Sequence, residues 1–221
     1  MNIHERMSNW QENDGVKLFR DMNLPSDAIV VDFGCGYGEY TIALALSLKN
    51  EGKVYAIDKD NKALKILKNK VDEYKLINVE IRKNNGEMQI DFENETVDFV
   101  MMYDVIHGND LKTKLPIRYA LFKEAWRVLK ENGILSVAPF DCEYLRDTNG
   151  KRKKYSIHQL IQEIEDSGFK LESKHDGAIH FEKYHSPYQW KIHNNDLKFE
   201  DMEKGYIYNF KKLNRQQIMN I

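Results

Sequence analysis

The sequence predicts an α/β protein built on a doubly wound, mostly parallel sheet with helices on both faces. Three observations predict it. Short apolar runs rich in β-branched residues recur along the 221 residues, as in strands buried on both faces. Amphipathic helical patterns fall between them, which calls for parallel pairing through right-handed crossovers. A glycine-rich turn, "DFGCGYGE", joins the first apolar run to the helix after it, where an open α/β sheet binds its ligands.

The elements follow in order. Residues 16–24 place Val16, Leu18, Phe19 and Met22 on the apolar side of a short helix, and "PSD" at 25–27 is a turn signal. Residues 28–33 read as the first strand, 40–48 as a helix that stops near 50–52, and 54–57 as the second strand. Over 62–74, Ala63, Ile66, Leu67 and Val71 share one helical face. Strands follow at 79–82, 97–103 and 134–138. Between the last two, Pro116 opens a helix that runs to Lys130, and Asn132-Gly133 closes it. Ser156 and Gln159 match a capping box, and Gly168 ends that helix. Strands at 169–172 and 205–210 complete a sheet of seven. Residues 175–203 read as a long irregular insertion before the last strand, inside a single domain spanning 1–221.

Composition narrows the function classes. Apolar residues make up 42%, a globular value that excludes wholesale disorder. With 33 basic and 35 acidic residues the net charge is −2, which argues against a nucleic-acid groove. Cys35 and Cys142 alone build neither a disulfide framework nor a zinc site, and a reducing cytoplasm fits them. The opening "MNIHERMSNW" lacks the apolar core of a signal peptide, and no run reaches a membrane span. The expected partners are therefore a small molecule rather than nucleic acid or membrane, with the chain a monomer or homodimer.

Glycines at 34, 36 and 38 exceed what a tight turn needs. They do not form the G-x-G-x-x-G dinucleotide pattern, because Glu39 stands where the last glycine belongs. That disfavours a nicotinamide cofactor. The carboxylate of Asp32 beside the loop suits a ligand with a positive group better than a pyrophosphate. Asp58 ends the second strand, where an acid can accept both ribose hydroxyls. Its alternative reading is a helix N-cap, a task for which Asp60 is equally placed.

"VVDFGCGYGEYT", "VYAIDKD", "VDFVMMYDVIHGND" and "EAWRVLKENGILSV" together resemble the class I S-adenosylmethionine-dependent methyltransferases that act on small molecules. The resemblance covers roughly residues 15–175. It implies a Rossmann-like, seven-stranded sheet with an antiparallel last strand and S-adenosyl-L-methionine as cofactor. It implies that Asp32 holds the cofactor's α-amino group and that the backbone of Phe33, Gly34, Cys35, Gly36 and Gly38 lies against its methionine part. Asp58 would take the ribose, Lys59 the adenine face and the carbonyl of Tyr103 the amino group. Where relatives carry Gly-Asp after the third strand, this chain has "KNNGE", so Asn85 or Gly86 stands in at the adenine.

His107, in the segment after the fourth strand, is the candidate catalytic base and a substrate contact, since imidazole titrates near neutrality. Packing against neighbouring loops is its alternative. Asp104 and Asp110 read as loop residues or caps. Phe140 and Tyr144, in "FDCEY" beyond the fifth strand, are candidate acceptor contacts. "KRKKY" at 151–155 reads as a solvated basic loop. Residues 1–24 read as a lid and helix, because Met7 and Trp10 would have no use in a free tail. His180, Tyr184, His185, Tyr188, Trp190 and His193 read as an aromatic flap or dimer contact and lack metal-ligand spacing, so no metal is expected. An RNA- or protein-modifying enzyme of the same fold, and a cofactor-binding protein without catalysis, are the other readings.

Overall fold

Val30 and Val31 are neighbours, both fully buried, and they enter different apolar cores. The same division recurs in the fourth strand, where Phe99 and Met101 face one core and Val100 and Met102 the other. Side chains alternate across a strand, so a strand apolar on both sides needs cover on both faces. Each such large side chain contributes roughly 1.5–3 kcal/mol on leaving water.

The computed structural model describes residues 3–49, 51–110, 113–140, 144–179 and 204–214. The elements run α1 (Ile3–Glu12), α2 (Asp14–Asp21), β1 (Ile29–Phe33), α3 (Glu39–Ser47), β2 (Lys53–Asp58), α4 (Asn61–Glu73), β3 (Val79–Lys83), β4 (Val97–Tyr103), α5 (Arg118–Val128), β5 (Leu129–Ala138), β6 (Tyr144–Arg146), β7 (Arg152–Lys154), α6 (Ile157–Asp166), β8 (Phe169–Ile179) and β9 (Lys204–Lys212). The seven-stranded sheet has the order β3-β2-β1-β4-β5-β9-β8. Pairing is parallel from β3 to β5, and β9 is antiparallel to both β5 and β8. This is the doubly wound sheet that the residues predict, with the one antiparallel strand that the resemblance implies.

Buried residues of α1 to α4 share one core and those of α5 and α6 the other. The chain order reverses between β1 and β4, so the carboxyl ends of these two strands flank a crevice, where open α/β sheets take ligands.

Several boundaries differ from the sequence reading. The first ten residues hold a helix, α1, whose Met7 and Trp10 are buried against α2 and α3. Trp10 stands edge-on to Tyr40 with ring centroids 5.4 Å apart. The helix at 116–130 is shorter, and β5 starts at Leu129. Asn132 (φ 64°) and Gly133 form a bulge inside the strand instead of ending the helix, and the register jumps from Val97–Leu129 to Phe99–Ile134 across it. Pro116 lies before α5, bridged to Asn109. Residues 175–179, read as irregular, are the end of β8. The basic run at 151–155 lies in the β6–β7 hairpin with its β7 side chains exposed. His180, Tyr184, His185, Tyr188, Trp190 and His193 lie outside the described residues, as does Cys142. No described helix is long and apolar enough to cross a membrane.

Capping follows the sequence more closely. Asp60 caps α4 by accepting from the Lys62 N–H, and Ser156 and Gln159 form the reciprocal capping box of α6.

Candidate cofactor and acceptor site

A cavity of about 630 Å³ opens at the carboxyl ends of β1, β2 and β4, within the size range of small-molecule sites. The turn from β1 into α3 forms its floor. All three glycines there have positive φ, but each for a different reason. A Cβ on Gly34 would come within 2.2 Å of Val105, and one on Gly38 within 2.2 Å of Leu67. These two let the loop pack against the β4 exit and against α4. A Cβ on Gly36 would meet nothing within 4 Å. Gly36 is thus the position where bare backbone faces the open cavity, and Gly38 lies off the wall.

Asp58 fixes that backbone. Its Oδ2 accepts from the Gly36 N–H at 2.9 Å and its Oδ1 from the Asp60 N–H at 2.8 Å. Asp60 therefore takes the N-cap, as expected, yet Asp58 is not left over, because it ties β2 to the glycine loop. A carboxylate offers about four acceptor positions, so about two remain, and Asp58 lines the cavity.

Asp32 is buried, with its Oδ2 taking a hydrogen bond from Thr41 at 2.6 Å. Burial pushes its carboxyl up to about 7. The Thr41 bond opposes that rise, and the negative charges of Asp58 and Glu39 add to it. Glu39, in the first turn of α3, is held by Lys70 from α4 at 2.9 Å. Burial also raises the Cys35 thiol well above its ordinary range, which keeps it protonated and inert.

The far wall comes from the β4 exit. Tyr103 stacks edge-on against Tyr40 at 4.8 Å, and its hydroxyl joins Ser136 at 2.8 Å. Ser136 donates in turn to Asn209 at 2.7 Å, so a buried polar chain runs from β4 through β5 to β9 under the cavity. The Tyr40 hydroxyl both donates to the Ile179 carbonyl and accepts from its N–H, each at 2.8 Å, pinning the end of β8 to α3. His107 lies 3.3 Å from Asp104 through Nδ1.

Most residues singled out in the sequence meet on this cavity: Asp32, Phe33, Gly34, Cys35, Gly36, Asp58, Lys59, Gly86, Tyr103, His107 and Phe140. Asn85 does not line it. Asn84 does, and its side chain shapes the loop by accepting from the Gly86 N–H and donating to the Glu87 carbonyl. An Asn two residues before a Gly is an Asx-turn signal and marks Asn84 in retrospect. Tyr144 lies in β6, and its side chain is outside the described residues. Asp104, read from the sequence as a loop residue or cap, also lines the cavity, as do Tyr40, Met88 and Ile179, which escaped the sequence reading. Tyr40 and Ile179 come together from 139 residues apart.

The arrangement suits an amino-acid–nucleoside sulfonium. It offers the carboxylates of Asp32 and Asp58, an uncrowded backbone at Gly36, and apolar side chains with an imidazole, all lining one cavity. The methyltransferase-domain family matches residues 24–211. Demethylmenaquinone methyltransferase from Geobacillus stearothermophilus is 34% identical over 117 residues, 53% of this chain and 47% of that protein. The enzyme of the same name from Geobacillus sp. (strain WCH70) is 32% identical over 124 residues, 56% of this chain and 48% of that protein. The chain thus spans about half the length of the curated relatives it matches. A SAM-dependent methyltransferase structure from Aquifex aeolicus superposes with a TM-score of 0.58 at 23% identity, covering 93% of this chain and 92% of that one. Magnesium protoporphyrin IX methyltransferase from Synechocystis, solved with bound SAM, gives 0.57 at 16% identity over 92% and 78%. At such identities these two speak for the fold. With its sheet order, its glycine loop and a family match across most of its length, the chain belongs to the class I S-adenosylmethionine-dependent methyltransferases.

Proposed function

We propose that this chain transfers a methyl group from S-adenosylmethionine to a small-molecule acceptor, with His107 as the general base. The observation that carries the reading is Gly36: an open backbone position aimed into a cavity and fixed by the carboxylate of Asp58. When bound, the sulfonium supplies an activated methyl group and a leaving group that is neutral after displacement.

The chain's own residues then position and desolvate. Asp32 holds the α-amino group with acceptor positions not taken by Thr41. The backbone of Phe33, Gly34, Cys35 and Gly36 lies along the methionine part, with the Tyr103 carbonyl opposite. Asp58 takes the ribose hydroxyls. Lys59, Gly86 and Asn84 (rather than Asn85) surround the base. His107 and Phe140 face the acceptor, and His107 accepts its proton where the nucleophile starts protonated. Positioning and exclusion of water carry much of the rate for such an in-line displacement. The acceptor named for the curated relatives, demethylmenaquinone, is a small molecule, which supports the same class here.

Incubation of the protein with methyl-labelled S-adenosylmethionine and a fractionated cell extract tests this. Label is expected in low-molecular-weight products. Label confined to RNA or protein, or no turnover with any fraction, overturns it.

A further inference from the structure

We propose that the methyl acceptor is an uncharged molecule with an apolar body, because one side of the cavity is a fixed hydrocarbon wall and the other side is acidic. The inference rests on the methyltransferase reading of this cavity and goes further by naming the class of acceptor.

The sheet order divides the lining. Asp32, Glu39, Asp58, Lys59 and Glu87 belong to β1–β3 and the segments that follow these strands. Tyr103, Val105, Ile117, Phe140 and Ile179 come from the ends of β4, β5 and β8 and the segments beyond them, across the point where the chain order reverses. Tyr40 of α3 meets Tyr103 and Ile179 there. Asp104 and His107 are the polar side chains of that side. Among the described residues, Lys59 is the one lysine or arginine on the whole lining.

The apolar wall is held in one shape by close packing on glycine. A Cβ on Gly205 would come within 2.7 Å of the Phe140 ring, and one on Gly108 within 2.8 Å of Ile117. Neither glycine has a positive φ, so what each supplies is room for the side chain above it. Val105 is seated on Gly34 in the same way. The Tyr40 hydroxyl holds both backbone groups of Ile179. Three apolar side chains therefore rest on bare backbone, and a fourth residue is pinned by a phenol.

A preformed apolar wall favours an apolar body, which gains by leaving water. A charged group of either sign gives up its hydration there for few hydrogen bonds in return. The Tyr103 hydroxyl is committed to Ser136 and that of Tyr40 to Ile179. An anion meets repulsion as well, from carboxylates that outnumber Lys59 on the lining.

Two dyes with the same rings test this: phenylnaphthylamine, which is uncharged, and anilinonaphthalene sulfonate, which adds one sulfonate. The full chain is first saturated with S-adenosylhomocysteine, and binding at the wall is read as the fluorescence that Phe140→Ser removes. The uncharged dye is expected to bind about tenfold tighter or more. Ile117→Lys, which sets a cation on the wall, is expected to narrow that ratio. Gly205→Ala, which crowds the Phe140 ring, is expected to weaken the uncharged dye and keep S-adenosylhomocysteine affinity. Equal affinity of the two dyes in the wild type, or no wall-dependent binding of the uncharged one, overturns the proposal. The labelled products of the extract incubation give a second readout. Product label is expected in small molecules that pass both anion and cation exchangers and enter an organic solvent at neutral pH. Small-molecule product retained on either exchanger overturns this inference and leaves the methyltransferase reading standing. Label in RNA or protein alone, or none, counts against that reading itself.

Discussion

The carboxylate of Asp58 holds the amide of Gly36 at 2.9 Å, across 22 residues of sequence. One side chain thereby ties the loop to β2, and it also lines the cavity. Asp58→Ala is expected to lose both functions and weaken S-adenosylhomocysteine binding by tenfold or more, as calorimetry reads it, roughly the 1.4 kcal/mol of one charged hydrogen bond. Asp58→Asn can still accept from Gly36 and should lose less.

Gly36 and Gly38 separate binding from stability. Gly36→Ala adds a methyl group to open space at φ 52°, so the expected cost is about 1–2 kcal/mol of conformational strain together with loss of cofactor binding. Gly38→Ala drives a methyl group to within 2.2 Å of Leu67 at φ 80°. It should unfold at distinctly lower urea concentration than Gly36→Ala. Equal midpoints in a urea titration would contradict this division.

Asp32 links cofactor binding to pH. Its carboxyl, ordinarily at 3.8, stands at about 7 in the folded chain, so the folded state holds a proton that the unfolded state releases. The sign follows. Above pH 7 the ionised, buried carboxylate costs the fold stability. As pH falls from 7 towards 4, the fold gains stability from this group. Asp32→Asn, which keeps an acceptor for Thr41, should raise the melting temperature at pH 8 and lose cofactor affinity. In the wild type a bound ammonium group favours the carboxylate, so affinity should fall as pH drops below 7. Calorimetry in buffers of different ionisation enthalpy would show proton release on binding at pH 6.

Arg118 is buried and forms a two-point pair with Glu163 at 2.7 and 3.0 Å, joined by the Tyr119 and Tyr155 hydroxyls and the Arg146 carbonyl. This cluster ties α5 to α6 and to the β6 hairpin. Glu163→Ala strands a guanidinium away from water and should cost about 3–5 kcal/mol in denaturant unfolding. The cofactor cavity lies elsewhere, so affinity should be unchanged.

The sheet and the glycine edge were legible because parallel strands buried on both faces announce themselves as apolar runs, and because close glycines after the first strand mark that edge, although Gly34 and Gly38 serve packing and only Gly36 faces open space. Val30 and Val31, Gly36 and Asp58 belong to that readable part. Local rules that point two ways hid the rest. Asn132-Gly133 reads as a helix stop, yet it forms a bulge in β5, because pairing with β4 outweighs the turn signal. In "KNNGE" the two asparagines look equivalent, and the end of β3 at Lys83 decides that Asn84 makes the Asx turn. Tyr40 and Ile179 meet only in the folded chain. The approach of Asp104 to His107 at 3.3 Å, in the loop after β4, is likewise not read from their spacing.

The central claim is that the edge formed by Gly36 and Asp58 holds S-adenosylmethionine. A crystal structure of the chain grown with S-adenosylhomocysteine tests it most directly. The account predicts the nucleoside in the 630 Å³ cavity, with its ribose hydroxyls on Asp58 and its amino group at Asp32. Saturating ligand that binds at another place, or leaves this edge bare, contradicts it.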